Sequence, residues 1–352
     1  MMKAAVFRKP GHIEVTEIDR PVAGPGDVLV RVRAASICGT DLRIMQHGHF
    51  RIEPGQSRVL GHEVAGEIVE VGGDVSGWSV GDRVGVTPNV GCGRCRQCRA
   101  GLNQMCSTYD AFGITIDGGF QEYMLVPAWA LERDNLSRLP DGMPYEIAAL
   151  VEPMSCCLSG QRKVDLKASD SVLIIGAGPI GCFHAVLAKL RGSQQVMVAN
   201  TRRTRLEIAG VLGADELIAV GEVDLHARVM ELTEGEGADV VITCVSKPEV
   251  IESVTGLMAR NGRANVFSGL GKSEHPRIDV NALHYRAQTL TGTTGSSIQD
   301  YRDTLEIIDT SGVDLSPIIS RRFRLDEIED AMEHSRSGQG MKSIILFEGE
   351  SS

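Results

Sequence analysis

The stretch from Ser171 to Gly181, SVLIIGAGPIG, constrains the fold of this chain more than any other. A short apolar run opens directly into Gly176, Gly178 and Gly181, and PIGCFHAVLAKLRG then follows with helical apolar spacing. That order predicts a buried strand feeding a helix through a tight glycine turn. The alternation repeats downstream. QVMVAN, ELIAV, DVVITCV and GRANVFSG have the composition of strands, and TRLEIAGVLGA and VIESVTGLMA that of amphipathic helices. Strands alternating with helices predict a parallel sheet covered on both faces, a doubly wound α/β unit.

The three glycines suit a dinucleotide. The first permits the turn, the second lets the backbone approach a pyrophosphate, and the third allows close helix–strand packing with the helix N-terminus facing the phosphates. Gly176, Gly178 and Gly181, with Pro179 and Ile180 opening the helix, are therefore candidate cofactor contacts. The next strand ends about 20 residues on, where an acidic residue would bind a ribose 2′-hydroxyl. Asn200 stands there instead, followed by Arg202, Arg203 and Arg205. A neutral residue beside guanidinium groups accepts a 2′-phosphate that a carboxylate would repel, which favours NADP. The alternative is NAD, with Asn200 on the ribose and the arginines solvated at a helix start.

Before about Leu150 the pattern differs. KAAVF, DVLVRVRAASI, EVAGEIVEVG, DRVGV and FQEYMLV are short apolar or alternating runs broken by Gly and Pro, which predicts a mainly β region. YEIAALVEPMSCCLSGQRK then turns helical, and YRDTLEIIDTSG, LDEIEDAMEHSRSG and a last strand KSIILFE close the chain ahead of the tail EGESS, expected to be mobile. With 36 basic against 46 acidic residues the formal net charge is −10, which argues against nucleic acid and anionic membranes as partners. No run has the length of a membrane span and the start lacks a secretory apolar core, so the expected location is the cytoplasm.

The nine cysteines fit metal binding better than disulfides in such a chain. Cys92, Cys95, Cys98 and Cys106 fall within GCGRCRQCRAGLNQMC and can close a four-thiolate zinc site that leaves no position for a substrate. A second constellation is dispersed: Cys38 in ASICGTD, His62 and Glu63 in LGHEVAGEIVEVGGDV, and Glu152 in VEPMS. These are residue types that a catalytic zinc uses.

Taken together, GHEVAGEIVEVGGDV, the four-cysteine stretch and GAGPIG occur in an order and spacing that resemble the zinc-dependent medium-chain dehydrogenases from end to end. The resemblance implies a GroES-like β-rich catalytic domain from residues 1–153 and 291–352, with a structural zinc lobe at about 90–107. A Rossmann domain would span 154–290, with the active site in the cleft between them. It implies catalytic zinc ligands Cys38 and His62, with Glu63 and Glu152 as neighbouring carboxylates, and a structural zinc on the four clustered cysteines. Thr40 matches the hydroxyl that relays the alcohol proton. Arg43 stands where many relatives have a histidine farther along that relay, and arginine does not deprotonate in this range. His47 and His49 are near in sequence but unplaced.

Glu152-Pro153 resembles the sorbitol and other polyol dehydrogenases and the threonine dehydrogenases, the EPMS form being nearer the polyol branch. The expected activity is hydride transfer between a secondary alcohol of a polyol or sugar-derived substrate and NAD(P). A phosphorylated polyol, a sugar acid and a threonine-like amino alcohol are the alternatives, and a non-catalytic nucleotide sensor is the reading from another class. By analogy a homodimer or homotetramer is expected. Loops RIMQHGHFRIEP, STYDAFGITIDGG and TGTTGSS are the expected sources of substrate specificity.

Overall fold

The structure, a computed structural model, describes residues 1–347; the tail EGESS lies outside the described residues. The chain divides into two compact units, one of Met1–Ser155 with Ser296–Ser352 and one of Cys156–Gly295.

The second unit carries a six-stranded sheet whose strand pairs are all parallel. From one edge to the other its strands are Glu216–Ala219, Gln195–Asn200, Ser171–Ile175, Ala238–Thr243, Met258–Val266 and Thr289–Gly292. In chain order this is third, second, first, fourth, fifth, sixth, the doubly wound arrangement of a Rossmann unit. Leu173, Ile175, Met197, Ala199, Val241 and Ala264 line one buried face, packed against Val229, Val254 and Leu257. Ile174 and Val198 are equally buried, so the strands carry apolar residues on both sides.

The first unit is built mainly on antiparallel strands, the pair Lys342–Leu346 and Ile319–Phe323 being parallel. A main sheet runs in the order Leu136–Arg138, Arg83–Val86, Glu63–Val71, Val28–Ser36, Lys342–Leu346, Ile319–Phe323, with Tyr123–Val126 also pairing Val28–Ser36. A three-stranded sheet of His12–Ile18, Met2–Lys9 and Arg58–Val59 accompanies it. Val28, Val30, Val32, Val64, Ile68, Val84, Met124 and Ile345 share one core. The architecture is α/β: a β-rich unit where a GroES-like domain is expected, and a doubly wound Rossmann unit.

Two local elements differ from expectation. RIMQH is not loop but the body of a helix, Gly39–His47, because Asp41 caps its start and Ile44 packs into the core. The helical run after Met143 is broken into Tyr145–Ala148 and Val151–Lys163. Pro153 is tolerated because it falls in the first turn of the second helix, where its missing N–H has no partner to lose. No helix among the described residues is long and apolar enough to cross a membrane.

Candidate active site

Three of the dispersed residues converge. Cys38, His62 and Glu63 each place one ligand atom so that all lie within 4.8 Å of one another. Strand pairing explains how. Ser36 at the end of Val28–Ser36 sits opposite Glu63 at the start of Glu63–Val71, which brings Cys38, just beyond the strand, to the same end of the sheet. Gly61 adopts φ +88°, and a Cβ there would lie 2.7 Å from the Phe120 ring, so the turn that delivers His62 requires glycine.

Asp41, a residue the sequence reading passed over, ties the cluster together. It is fully buried; Oδ2 accepts from the Cys38 amide at 2.9 Å and Oδ1 from the Gly61 amide at 3.2 Å. Its Oδ1 also lies 3.5 Å from His62 Nδ1, an ion-pair distance rather than a hydrogen bond. The available signal was its place three residues after Cys38, the spacing of a helix cap.

Lys342 was likewise missed. Its Nζ donates to Glu63 Oε2 and, at 3.0 Å, to the Ile37 carbonyl. Only its polarity within the apolar strand KSIILF marked it out.

The electrostatics are those of a site built for positive charge. Burial would lower the His62 pKa, but the Cys38 thiol and the Asp41 carboxylate outweigh it and hold the imidazole well above its ordinary value. Burial pushes the Glu63 carboxyl up, against the pull of Lys342. For Lys342 itself burial favours the neutral amine, yet Glu63 and Cys38 hold the ammonium above its usual range.

Glu152 is 7% exposed in the first turn of Val151–Lys163 and within electrostatic reach of Lys342 and Tyr301, but it is not one of the close set. Thr40, half-buried, follows Cys38 by two residues on the helix Gly39–His47, and Arg43 on the same helix is exposed. His47 ends that helix. His49 accepts from the Arg51 amide at 3.2 Å through Nδ1, and neither histidine belongs to the close set.

A thiolate, an imidazole and a carboxylate are donors that zinc accepts. Buried His62 Nδ1 and Glu63 Oε1 have no hydrogen-bond partner, so the residues present fit a zinc ion.

Cys92, Cys95, Cys98 and Cys106 form a second group within the same 4.8 Å limit. All nine cysteines are free thiols. The Arg94 and Cys95 amides lower Cys92 to about 6, while burial raises Cys98 to about 12. The Cys92 amide donates to Cys106 Sγ and the Cys98 amide to Cys95 Sγ, both at 3.4 Å. Amides aimed at sulfur favour thiolate, the form that binds metal. Asn103 anchors the lobe, donating to the Asn89 carbonyl at 2.7 Å and accepting from the Ile298 amide at 3.0 Å.

In the Rossmann unit Gly176 has φ +112°, and a Cβ on Gly181 would fall 1.8 Å from the Gly176 carbonyl oxygen, so neither accepts a side chain. Pro179 and Ile180 form the first turn of the helix Pro179–Leu190. Asn200 Oδ1 accepts from the Ala177 amide at 3.3 Å, which couples the end of the second strand to the glycine turn. The arginines separate. Arg203 pairs with Glu222 through Nε at 2.6 Å. Arg205 is half-buried beside Cys182, and its pKa is lowered by burial and by Arg202. Its Nη1 lies 3.7 Å from where a Gly178 Cβ would stand.

Residues 24–137 match the alcohol dehydrogenase GroES-like domain and residues 179–310 the zinc-binding dehydrogenase domain. An L-threonine 3-dehydrogenase of Pyrococcus horikoshii is 36% identical over 98% of this chain and 99% of its own. A Sinorhizobium meliloti protein solved with NADP superposes with a TM-score of 0.91 at 32% identity, covering 99% of both chains. The 2R,3R-butanediol dehydrogenase of Bacillus subtilis superposes at 0.90 with 27% identity, covering 99% of this chain and 100% of that one.

Proposed function

Since the chain belongs to the zinc-dependent medium-chain dehydrogenases and is an oxidoreductase acting on CH–OH groups with zinc and NAD(P), we propose that its substrate is an amino alcohol of the threonine class. The observation that carries this choice is the end-to-end identity with proteins named L-threonine 3-dehydrogenase, from Pyrococcus horikoshii and from Vibrio parahaemolyticus alike. A polyol is the second reading. It is favoured by the EPMS form around Glu152 and by the structural likeness to a butanediol dehydrogenase.

In this reading Cys38 and His62 hold the catalytic zinc, with Glu63 and Glu152 as the adjacent carboxylates, and the four clustered cysteines hold a structural one. When bound, the catalytic zinc supplies Lewis acidity toward the alcohol oxygen. Asp41 keeps Cys38 and the turn before His62 in register, so the donors are oriented in advance. Thr40 takes the hydroxyl proton. Arg43 cannot carry it further, so the proton leaves to water from Thr40. The glycine turn seats the pyrophosphate. Arg202 and Arg205 are the residues assigned to a 2′-phosphate, whereas Arg203 is engaged by Glu222.

The test is initial-rate reduction of NAD and NADP, separately, with L-threonine, other 2-amino-3-hydroxy acids, polyols, sugar acids and their phosphates. The expected result is the highest kcat/KM with a 2-amino-3-hydroxy acid. A polyol preferred by tenfold or more, ~1.4 kcal/mol in the transition state, selects the second reading.

A further inference from the structure

The cluster of half-buried Cys38 with buried His62 and Glu63 has a neighbour that is a cation. Lys342 opens the strand Lys342–Leu346, and its side chain is 6% exposed. Ile344 pairs with Ser36 in an antiparallel register, so two residues further along the ladder Lys342 falls opposite Cys38. The ammonium is fixed by the Ile37 carbonyl and donates to Glu63 Oε2. Glu63 Oε2 is therefore engaged, while Oε1 is buried and has no hydrogen-bond partner. Burying an ion pair sacrifices the hydration of both charges, and an apolar pair of similar size is often no less stable. Stability alone does not explain a lysine here.

We infer that Lys342 is a positioning residue for the metal: it holds Glu63 by Oε2, leaves Oε1 as the one oxygen offered to zinc, and offsets one negative charge of the donor set. The inference rests on the reading of Cys38, His62 and Glu63 as a zinc site. A donor set without that offset holds a divalent ion more tightly and leaves it a weaker Lewis acid. Lys342 thus gives up some metal affinity for a more electrophilic metal.

The experiment uses full-length, zinc-loaded protein. Zinc release into a chromophoric chelator is compared for the wild type, K342Q, K342R and the double variant E63Q/K342Q. Zinc per chain is counted by atomic spectroscopy, and circular dichroism verifies folding. K342Q is expected to release the catalytic-site zinc about tenfold more slowly, within the usual range of coupling between neighbouring groups. K342R, which keeps the cation, is expected to release it at the wild-type rate. Cobalt-substituted K342Q is expected to show a displaced visible absorption band. Release from K342Q as fast as from the wild type, or faster, overturns the inference. If K342Q does not accumulate as folded protein, the double variant decides. Recovery of folding once Glu63 also loses its charge supports the pairing, and continued failure shows a packing role and overturns it. A wild-type chain that holds a single zinc, on the four cysteines, refutes the underlying site reading, and the inference falls with it.

Discussion

The two candidate metal-ligand groups of the β-rich unit use overlapping chemistry and opposite construction. The lobe draws all four donors from a single loop, Cys92 to Cys106, and exposes much of itself: Leu102 is 40% and Met105 48% exposed. The other group draws Cys38 from the start of a helix and His62 and Glu63 from the turn and strand start about 25 residues on, buries His62 and Glu63, and surrounds them with Asp41 and Lys342. A metal held by a loop that closes on itself would have every position filled by its own four cysteines, the arrangement of a structural rather than a catalytic site. A site assembled from distant segments leaves donors unpartnered, as at Glu63 Oε1, and holds them in place with second residues. Conspicuousness in the sequence and chemical competence therefore fall on different residues.

The comparison breaks if the wrong group controls turnover. Replacing Cys38 by Ala is expected to lower kcat by at least ~10³-fold and to remove one zinc while nucleotide binding, followed by fluorescence titration, persists. Retained turnover in that variant would refute the assignment. Asp41→Asn sharpens the contrast, because in the lobe the Cys92 and Cys98 amides donate to cysteine sulfur instead of to a carboxylate. Asparagine keeps one acceptor oxygen but sets an NH2 donor against the other of the Cys38 and Gly61 amides, which is expected to lower zinc affinity or kcat by about 10–100-fold, measured by chelator competition and steady-state rates. The smallest effect on turnover is expected from Cys98→Ser. Its specific activity at low temperature should stay within about threefold of wild type, while the thermal midpoint drops by roughly 5–10 °C, a few kcal/mol for a unit of this size. A large immediate loss of kcat in Cys98→Ser with an unchanged midpoint would invert the roles.

The features legible in the sequence are those whose parts lie close together along it. Gly176, Gly178 and Gly181 follow one another across a single turn, and the four cysteines share one loop, so spacing alone announces both. The alternation of strands and helices from Ser171 to Leu290 is equally local, and the six-stranded parallel sheet follows from it. The helix Gly39–His47 escapes the sequence pattern because it is short and its glycine and polar residues dilute the apolar spacing; a cap at Asp41 decides it. Lys342 was invisible for a different reason. Its contact with Glu63 exists only once Val28–Ser36 has paired with both Glu63–Val71 and Lys342–Leu346, and such registers are fixed by tertiary packing. The separate fates of Arg203 and Arg205 also depend on which acidic residue the fold brings near, here Glu222.

The strand Lys342–Leu346 is not at the margin of its sheet; it lies between Val28–Ser36 and Ile319–Phe323. During translation the N-terminal strands therefore leave the ribosome long before the strand that flanks them exists, by roughly 15–60 s at 5–20 residues per second. The Cys156–Gly295 unit is complete within that interval and can fold first, as an insert in an unfinished host. The open edge of Val28–Ser36 meanwhile is a ready template for the wrong strand. The newborn chain thus passes through a stage in which this sheet edge is uncovered, and the synthesis of Lys342–Leu346 brings that exposure to an end.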